Sequence, residues 1–336
     1  MKIVVTGANG FIGTHLIREL AGRGRAQETV CLVRSPEKGE PLESWGVRLV
    51  LGDVRKKETL IPLCAQADLI FHLAARVDSR WRNASRIDFP RDNVEGTKNL
   101  LLACPPTVRR FIHLSSINSI ERPPGDPCNA PLTEESPPHP QTPYGRSKWL
   151  AEEAVRQIAT DKKMPYLILR PPSIVYGPGC KKSSGMAALI RSVAHGSLLT
   201  RLNFPGRMSI IHVMDLVEAV LDMGFSDRLE NDTFFLCDEV GVTTVQIADE
   251  IARQLQVQRK RFDVPPGFLR LVNRLVSCLE RVSRCSGMIP FPLLMVLRDQ
   301  ALVSSHKAHT VAGFTTKRSL AEGLRETIPW VLASKS

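Results

Sequence analysis

The chain has 336 residues, 43% hydrophobic and 24% charged, an ordinary globular usage that excludes wholesale disorder and fibrous architectures. Its net charge of +11 is uneven: residues 251–336 hold 14 Lys and Arg against 5 Asp and Glu, while residues 1–250 are nearly neutral. The longest apolar run, Ile289–Leu297, contains two prolines and falls well short of the about 20 residues a bilayer span needs.

The strand-like Ile3-Val4-Val5 begins almost at Met1, so no cleaved leader is expected. Eight cysteines without a Cys-x-x-Cys pair read as reduced thiols of a cytoplasmic protein, with neither a metal site nor a disulfide framework.

In chain order, strands are expected at Lys2–Thr6, Thr29–Val33, Val47–Leu51, Leu69–Leu73, Arg110–Ser115 and Tyr166–Leu169. Helical patterns fall between them at Thr14–Ala21, Lys57–Ala65, Val94–Ala103 and Gly145–Ala159. Such alternation predicts an α/β fold, a doubly wound parallel sheet covered on both faces, with ligands at the carboxyl ends of its strands. The second half is less regular. Strands are expected at Ser209–Val213 and Thr233–Leu236, and helices at Gly185–His195 and Val245–Leu255. From Gly267 to Val282 an apolar stripe runs at helical spacing, with Arg270, Arg274 and Arg281 off it.

Between the first strand and the first helix stands Thr6-Gly7-Ala8-Asn9-Gly10-Phe11-Ile12-Gly13. Its glycines permit a tight turn, close approach to a pyrophosphate and close helix–sheet packing, and the helix N-terminus favours phosphate. The second strand ends in Val33-Arg34-Ser35, where an NAD-preferring site places an acidic residue. Arg34 can instead accept a 2′-phosphate, so NADP is the preferred cofactor and NAD the alternative. After the third strand, Asp53 and Val54 suit an adenine contact, with turn formation the competing role of Asp53.

Tyr144 and Lys148 lie four apart, one helical turn from each other. A phenol ionises near pH 10, and a neighbouring ammonium favours its phenolate. Ser116, after a strand, is placed to hold a substrate oxygen beside Tyr144.

These motifs, in this order, resemble the extended short-chain dehydrogenases/reductases, of the NAD-dependent epimerase/dehydratase and 3β-hydroxysteroid dehydrogenase kind. The resemblance runs through Thr6–Gly13, Phe71-His72-Leu73-Ala74-Ala75, Asn93-Val94-Glu95-Gly96-Thr97 and Leu114-Ser115-Ser116. It continues through Tyr144–Lys148, Arg170-Pro171-Pro172, Tyr176-Gly177-Pro178-Gly179 and Ile211–Asp215. It implies a Rossmann-type domain over residues 1–170 and about 205–240, and a discontinuous substrate lobe over about 171–204 and 241–336. It implies Tyr144 as general acid/base, Lys148 on the nicotinamide ribose and Ser116 polarising the reacting oxygen. Leu73, Ala74, Ala75 and Asn93 are placed under the nicotinamide, and Pro171 and Ser173 line its carboxamide. A homodimer through Val94–Ala103 and Gly145–Ala159 is implied likewise.

Among the chemistries of this family, dehydratases carry Asp-Glu after the catalytic hydroxyl, whereas Ser116 is followed by Ile117-Asn118. Nucleotide-sugar epimerases carry Arg-Asp before their version of Ile211-His212-Val213, whereas this chain has Met208-Ser209-Ile210, with Arg207 one residue out of register. The serine form is more similar to the 3β-hydroxysteroid dehydrogenase and dihydroflavonol reductase branches, and that resemblance implies interconversion of a secondary alcohol and a ketone on an apolar or sterol-like substrate. A nucleotide-sugar 4-epimerase or 4-reductase is the alternative, and a non-catalytic NADP-binding regulator the third reading. Arg80, Trp81 and Arg82 are candidates for gripping an anionic or ring-bearing substrate, against a solvated basic loop. The basic stretch at about 267–300 could contact an anionic membrane, against a helix packed on the substrate lobe. With 6% aromatic residues and no stacking platform, nucleic acid is not an expected partner. His72 and His113 read as packing or backbone-tying residues.

Overall fold

The computed structural model describes residues 1–77, 88–122, 130–203, 206–263 and 302–333. Arg80, Trp81 and Arg82, and the stretch 267–300, lie outside the described residues.

Seven strands form one parallel sheet. They are β1 (Ile3–Thr6), β2 (Thr29–Val33), β3 (Arg48–Leu51), β4 (Leu69–His72), β5 (Arg110–Leu114), β6 (Tyr166–Arg170) and, after an excursion, β11 (Asp232–Phe235). Their order is β3-β2-β1-β4-β5-β6-β11, so the chain reverses direction across the sheet beside β1, where a doubly wound fold opens its ligand crevice. Alternation along β1 divides the core. Ile3 and Val5 join the apolar cluster under α1 (Phe11–Gly22), and Val4 joins the cluster on the opposite face.

A helical turn, α2 (Glu40–Glu43), follows β2, and α3 (Lys57–Cys64) follows β3. A π-helical turn at Pro90–Glu95 leads into α4 (Gly96–Ala103). The longest helix among the described residues, α5 (Pro143–Asp161), packs on α4, and with α3 these helices cover one face of the sheet. Cys64, ending α3, and Cys104, just after α4, bring their sulfurs to 3.9 Å in that layer.

Between β6 and β11 come β7 (Ile174–Tyr176), α6 (Gly185–Ala194), β8 (Leu202–Asn203), β9 (Arg207–Met208), β10 (Ile210–His212) and α7 (Val213–Phe225). After β11 follow β12 (Val242–Thr243), α8 (Thr244–Gln254), β13 (Phe262–Asp263), α9 (His306–Ala312) and α10 (Leu320–Ala333). Three two-stranded sheets, β7–β10, β9–β12 and β8–β13, accompany α6, α8 and α10, which pack on one another around a separate apolar cluster.

The expected strand at Ser209–Val213 is shorter in the structure. The His212 side chain accepts the Met214 N–H at 3.3 Å, so His212 caps a helix and Val213 is its first residue. That helix, α7, packs on α1 and completes the second face of the sheet. No helix among the described residues is long and apolar enough to cross a membrane.

Candidate active site

The turn after β1 requires its glycines. Gly7 has φ +73°, and a Cβ there would lie 2.6 Å from the Ala74 nitrogen and 2.8 Å from the Leu73 oxygen. A Cβ on Gly13 would lie 2.1 Å from the Gly7 oxygen. The turn and the β4 loop therefore meet backbone to backbone, and Asn9, Gly10, Phe11 and Ile12 cross at the start of α1. Asn9 and Gly10 are exposed there, and no side chain caps the helix. This cradle of small residues at a helix N-terminus fits a pyrophosphate, so the site accommodates a dinucleotide.

Arg34 is exposed just beyond β2. Asp53 is held by Arg55, whose Nη2 donates at 2.6 Å and whose Nε lies 3.0 Å from both carboxylate oxygens. That hydrogen bonding, with a further contribution from Arg34, holds the Asp53 carboxyl below the usual carboxylate range. An adenine amine would share this carboxylate with Arg55. Val54 packs at α4, where a Cβ on Gly96 would lie 2.9 Å from its Cγ2.

The floor of the crevice is a chain of buried polar groups. Thr6 Oγ1 meets His72 Nδ1 at 2.7 Å, and His72 Nε2 meets Thr97 Oγ1 at 2.8 Å. Thr97 donates in turn to the Asn93 carbonyl at 2.7 Å. The Nε2–H tautomer of neutral His72 satisfies every member, and burial pushes its pKa down to about 3. The Asn93 side chain accepts the Arg76 N–H at 2.6 Å and donates to Ser147 Oγ at 2.9 Å. Leu73, Ala74 and Ala75 run between these anchors, with Ala75 exposed.

Tyr144 and Ser116 are brought together by a close helix approach. The Thr142 hydroxyl caps α5 by accepting the Gly145 N–H at 2.9 Å. A Cβ on Gly145 would lie 2.2 Å from the Asn118 oxygen, so only glycine lets the first turn of α5 press against the loop carrying Ser116. The Ser116 and Tyr144 side chains share a hydrogen bond. Ser116 Oγ also lies 3.4 Å from Asn118 Oδ1, which accepts from Ser173 Oγ at 2.7 Å. Pro171 is buried beside this group, and Phe89 meets the Tyr144 ring edge-on at 6.0 Å. Asn118, Thr142 and Gly145 are not singled out by sequence pattern. The Gly after Tyr144 was the available signal for the close approach.

Lys148 is buried. Its Nζ donates to the Leu114 carbonyl at 2.7 Å and lies 3.4 Å from His113 Nε2. Burial lowers its pKa to about 8, opposed by the charge of Glu152. Burial also pushes the Tyr144 phenol up to about 12, opposed by the Ser116 hydrogen bond. In this arrangement the ammonium serves β5, and His113 is its neighbour as well as a packing residue. Among the described residues no group of three or more His, Cys, Asp or Glu is disposed to hold a metal.

The fold and the site together describe a dinucleotide-dependent enzyme. Residues 3–229 match the NAD dependent epimerase/dehydratase family, and the chain belongs to that family. It is similar to UDP-glucose 4-epimerase of Vibrio cholerae, 27% identical over 330 residues covering 97% of this chain and 94% of that one. It is also similar to ceramide reductase of Caulobacter vibrioides, 30% identical over 332 residues covering 99% and 95%. Sterol demethylase protein B of Methylococcus capsulatus is 28% identical over 282 residues, covering 84% and 83%. The fold matches UDP-glucuronic acid 4-epimerase from Bacillus cereus in complex with NAD, with TM-score 0.77, 19% identity and 99% of each chain covered. The protein is accordingly an NAD-dependent oxidoreductase or epimerase.

Proposed function

We propose that this chain is a net reductase or dehydrogenase that interconverts a secondary alcohol and a ketone on an apolar, lipid- or sterol-like substrate, with NADP preferred over NAD. The observation that carries this reading is the fate of the segment where nucleotide-sugar epimerases carry Arg-Asp. The Arg207 guanidinium donates twice to the Gly241 carbonyl, at 2.8 and 3.0 Å. Ser209 is buried, its Oγ accepting the Val303 N–H at 3.1 Å. Both side chains are tied to this chain's own backbone, and a neutral buried serine with an arginine anchored at Gly241 stands where those epimerases carry a charged Arg-Asp pair. The similarity to the ceramide reductase and to sterol demethylase protein B supports an apolar substrate. Exposed Arg34, in place of an acidic residue, supports NADP.

In this reading Gly7, Asn9, Gly10, Phe11, Ile12 and Gly13 receive the pyrophosphate, Arg34 the 2′-phosphate, and Asp53 and Val54 the adenine. Leu73, Ala74, Ala75, Asn93, Pro171 and Ser173 line the nicotinamide. When bound, that cofactor supplies or takes up hydride at the substrate carbon. Ser116 holds the substrate oxygen, Tyr144 gives or takes its proton, and the Lys148 ammonium stabilises the phenolate and orients a ribose. The substrate lobe comprises about 171–204 and 241–336. A homodimer would form on α4 and α5, where Leu102 is 46% exposed. Residues 80–82 remain candidates for substrate contact and 267–300 for membrane contact, in a cytoplasmic protein.

A UDP-sugar 4-epimerase is the second reading, favoured by the similarity to the Vibrio cholerae enzyme over nearly the whole of both chains. The test is to denature the purified protein, identify any released nucleotide by mass, and titrate the emptied protein with NAD and NADP. An empty site preferring NADP, with Arg34→Ala weakening NADP about tenfold and leaving NAD unchanged, is the expected result. Tightly retained NAD would favour the epimerase.

A further inference from the structure

One turn beyond Lys148, α5 carries a fully buried carboxylate that the proton-transfer scheme leaves unused. Glu152 accepts from Ser115 Oγ at 2.5 Å and from Ser119 Oγ at 2.8 Å. It accepts from Arg170 Nη2 at 2.6 Å and Nε at 3.0 Å, and from Arg156 Nη2 at 3.0 Å. Ser115 and Ser119 stand on either side of Ser116, and Arg170 ends β6. A single side chain thus ties the helix carrying Tyr144 and Lys148 to both flanks of Ser116 and to the neighbouring strand. Arg170 is itself buried, 5.5 Å above the Phe235 ring, with Nη1 lacking a partner among the described residues. Removing two such charges from water is costly enough to offset much of their attraction, so stability alone is a weak reason for the pair.

The charged and titratable groups around Lys148 come from four elements. His113 of β5 is adjacent, and His72 of β4 lies beyond it at 5.4 Å between ring centroids. Glu152 lies on its own helix, with Arg156 and, from β6, Arg170 behind the carboxylate. Both histidines are buried and held neutral, which leaves Glu152 as the negative charge acting on the ammonium.

Building on the assignment of Tyr144 and Lys148 as the proton-transfer pair, we propose that Glu152 is a positioning residue that seats Ser116 against Tyr144 and supplies the negative charge behind Lys148, with Arg170 and Arg156 setting how much of that charge is left over. The sign of each substitution follows. Neutralising Glu152 makes every nearby proton easier to lose, so a macroscopic titration involving Lys148 moves to lower pH. Removing Arg170 or Arg156 leaves more of the Glu152 charge uncompensated and moves it higher.

The test uses the full chain with lysines isotope-labelled at Cε, the Lys148 resonance being the one that Lys148→Met removes. Glu152→Gln is expected to lower the Lys148 titration by about one pH unit, and Arg170→Met to raise it comparably. Arg156 is 33% exposed, so Arg156→Met spares the core and is expected to raise the titration by a smaller amount. The alkaline limb of turnover should follow in each variant. Unmoved Lys148 titrations in Glu152→Gln and Arg156→Met would overturn the proposal. So would shifts of one sign in all variants, because loosened packing does not depend on which charge was removed. No substrate enters the resonance titration, so this outcome is separate from the loss of turnover that tests Tyr144 itself.

Discussion

Asn93 donates its side-chain amide to the Ser147 hydroxyl at 2.9 Å while its carbonyl oxygen accepts the Arg76 N–H at 2.6 Å. One side chain therefore joins the loop after β4 to the helix carrying Tyr144 and Lys148. Both contacts are buried or partly so, which makes their loss costly. Asn93→Ala should destabilise the fold by about 1–3 kcal/mol in denaturant unfolding. It should also weaken dinucleotide binding, because the loop it releases packs against Gly7. A variant as stable as the parent, with unchanged binding, would remove Asn93 from this role.

Tyr144→Phe keeps the ring against Phe89 and deletes only the hydroxyl. Turnover should fall by about 10²–10⁴-fold with the dinucleotide dissociation constant unchanged. Ser116→Ala should lower turnover as well, since it leaves the phenol without the hydrogen bond that opposes its rise to about 12. Steady-state rates beside fluorescence titration of the reduced cofactor separate the two effects.

At Gly7 a methyl group would meet backbone atoms at 2.6–2.8 Å, and backbone cannot rotate aside as a side chain can. Gly7→Ala is expected to cost more than about 2 kcal/mol through positive φ and this clash together. It should also abolish dinucleotide binding. Gly24→Ala, at φ +72° with open space around it, isolates the dihedral cost and should leave binding intact. Equal behaviour of the two variants in melting and binding would contradict the clash argument.

His72 and His113 are buried neutral, His72 with its pKa lowered to about 3 and His113 lowered as well, both through burial first. Ordinary histidine titrates near 6.5. Below that pH the unfolded chain takes up protons that the folded chain refuses, so the stability they contribute is complete above about 6.5. It is lost progressively towards about pH 3. The slope is about 1.4 kcal/mol per pH unit for each such group. Denaturant unfolding between pH 7 and 5 should show this decline, and His72→Gln should flatten it. A profile with no slope in that window would mean that these histidines are not held neutral.

The glycine turn, the strand positions as far as β6, and the one-turn spacing of Tyr144 and Lys148 on a helix are legible in the sequence because each depends on neighbours in the chain. Gly7 needs positive φ, and Tyr144 and Lys148 need only one helical turn between them. The α7 helix was not legible. It starts directly after β10, the β-branched Ile210, Ile211 and Val213 read as one strand, and the capping role of His212 depends on its side chain turning to the Met214 N–H. Glu152 was hidden for a different reason. With Glu153 and Arg156 nearby it has the pattern of a solvated i,i+4 surface pair. Only the arrival of Ser115, Ser119 and Arg170 from other elements makes it an interior charge.

The edge strand β11 joins the sheet beside β6 only after the chain has passed through β7, α6, β10 and α7. Until Asp232–Phe235 has been synthesised, one side of β6 has no backbone to bond, and Arg170 at its end has no Phe235 ring beneath it. A growing chain on the ribosome would therefore carry an open, sticky sheet border for more than sixty residues of translation, from Arg170 to Asp232. Grafting a foreign binding segment between β6 and α7 would lengthen that interval, and chaperone dependence during expression would be its first symptom.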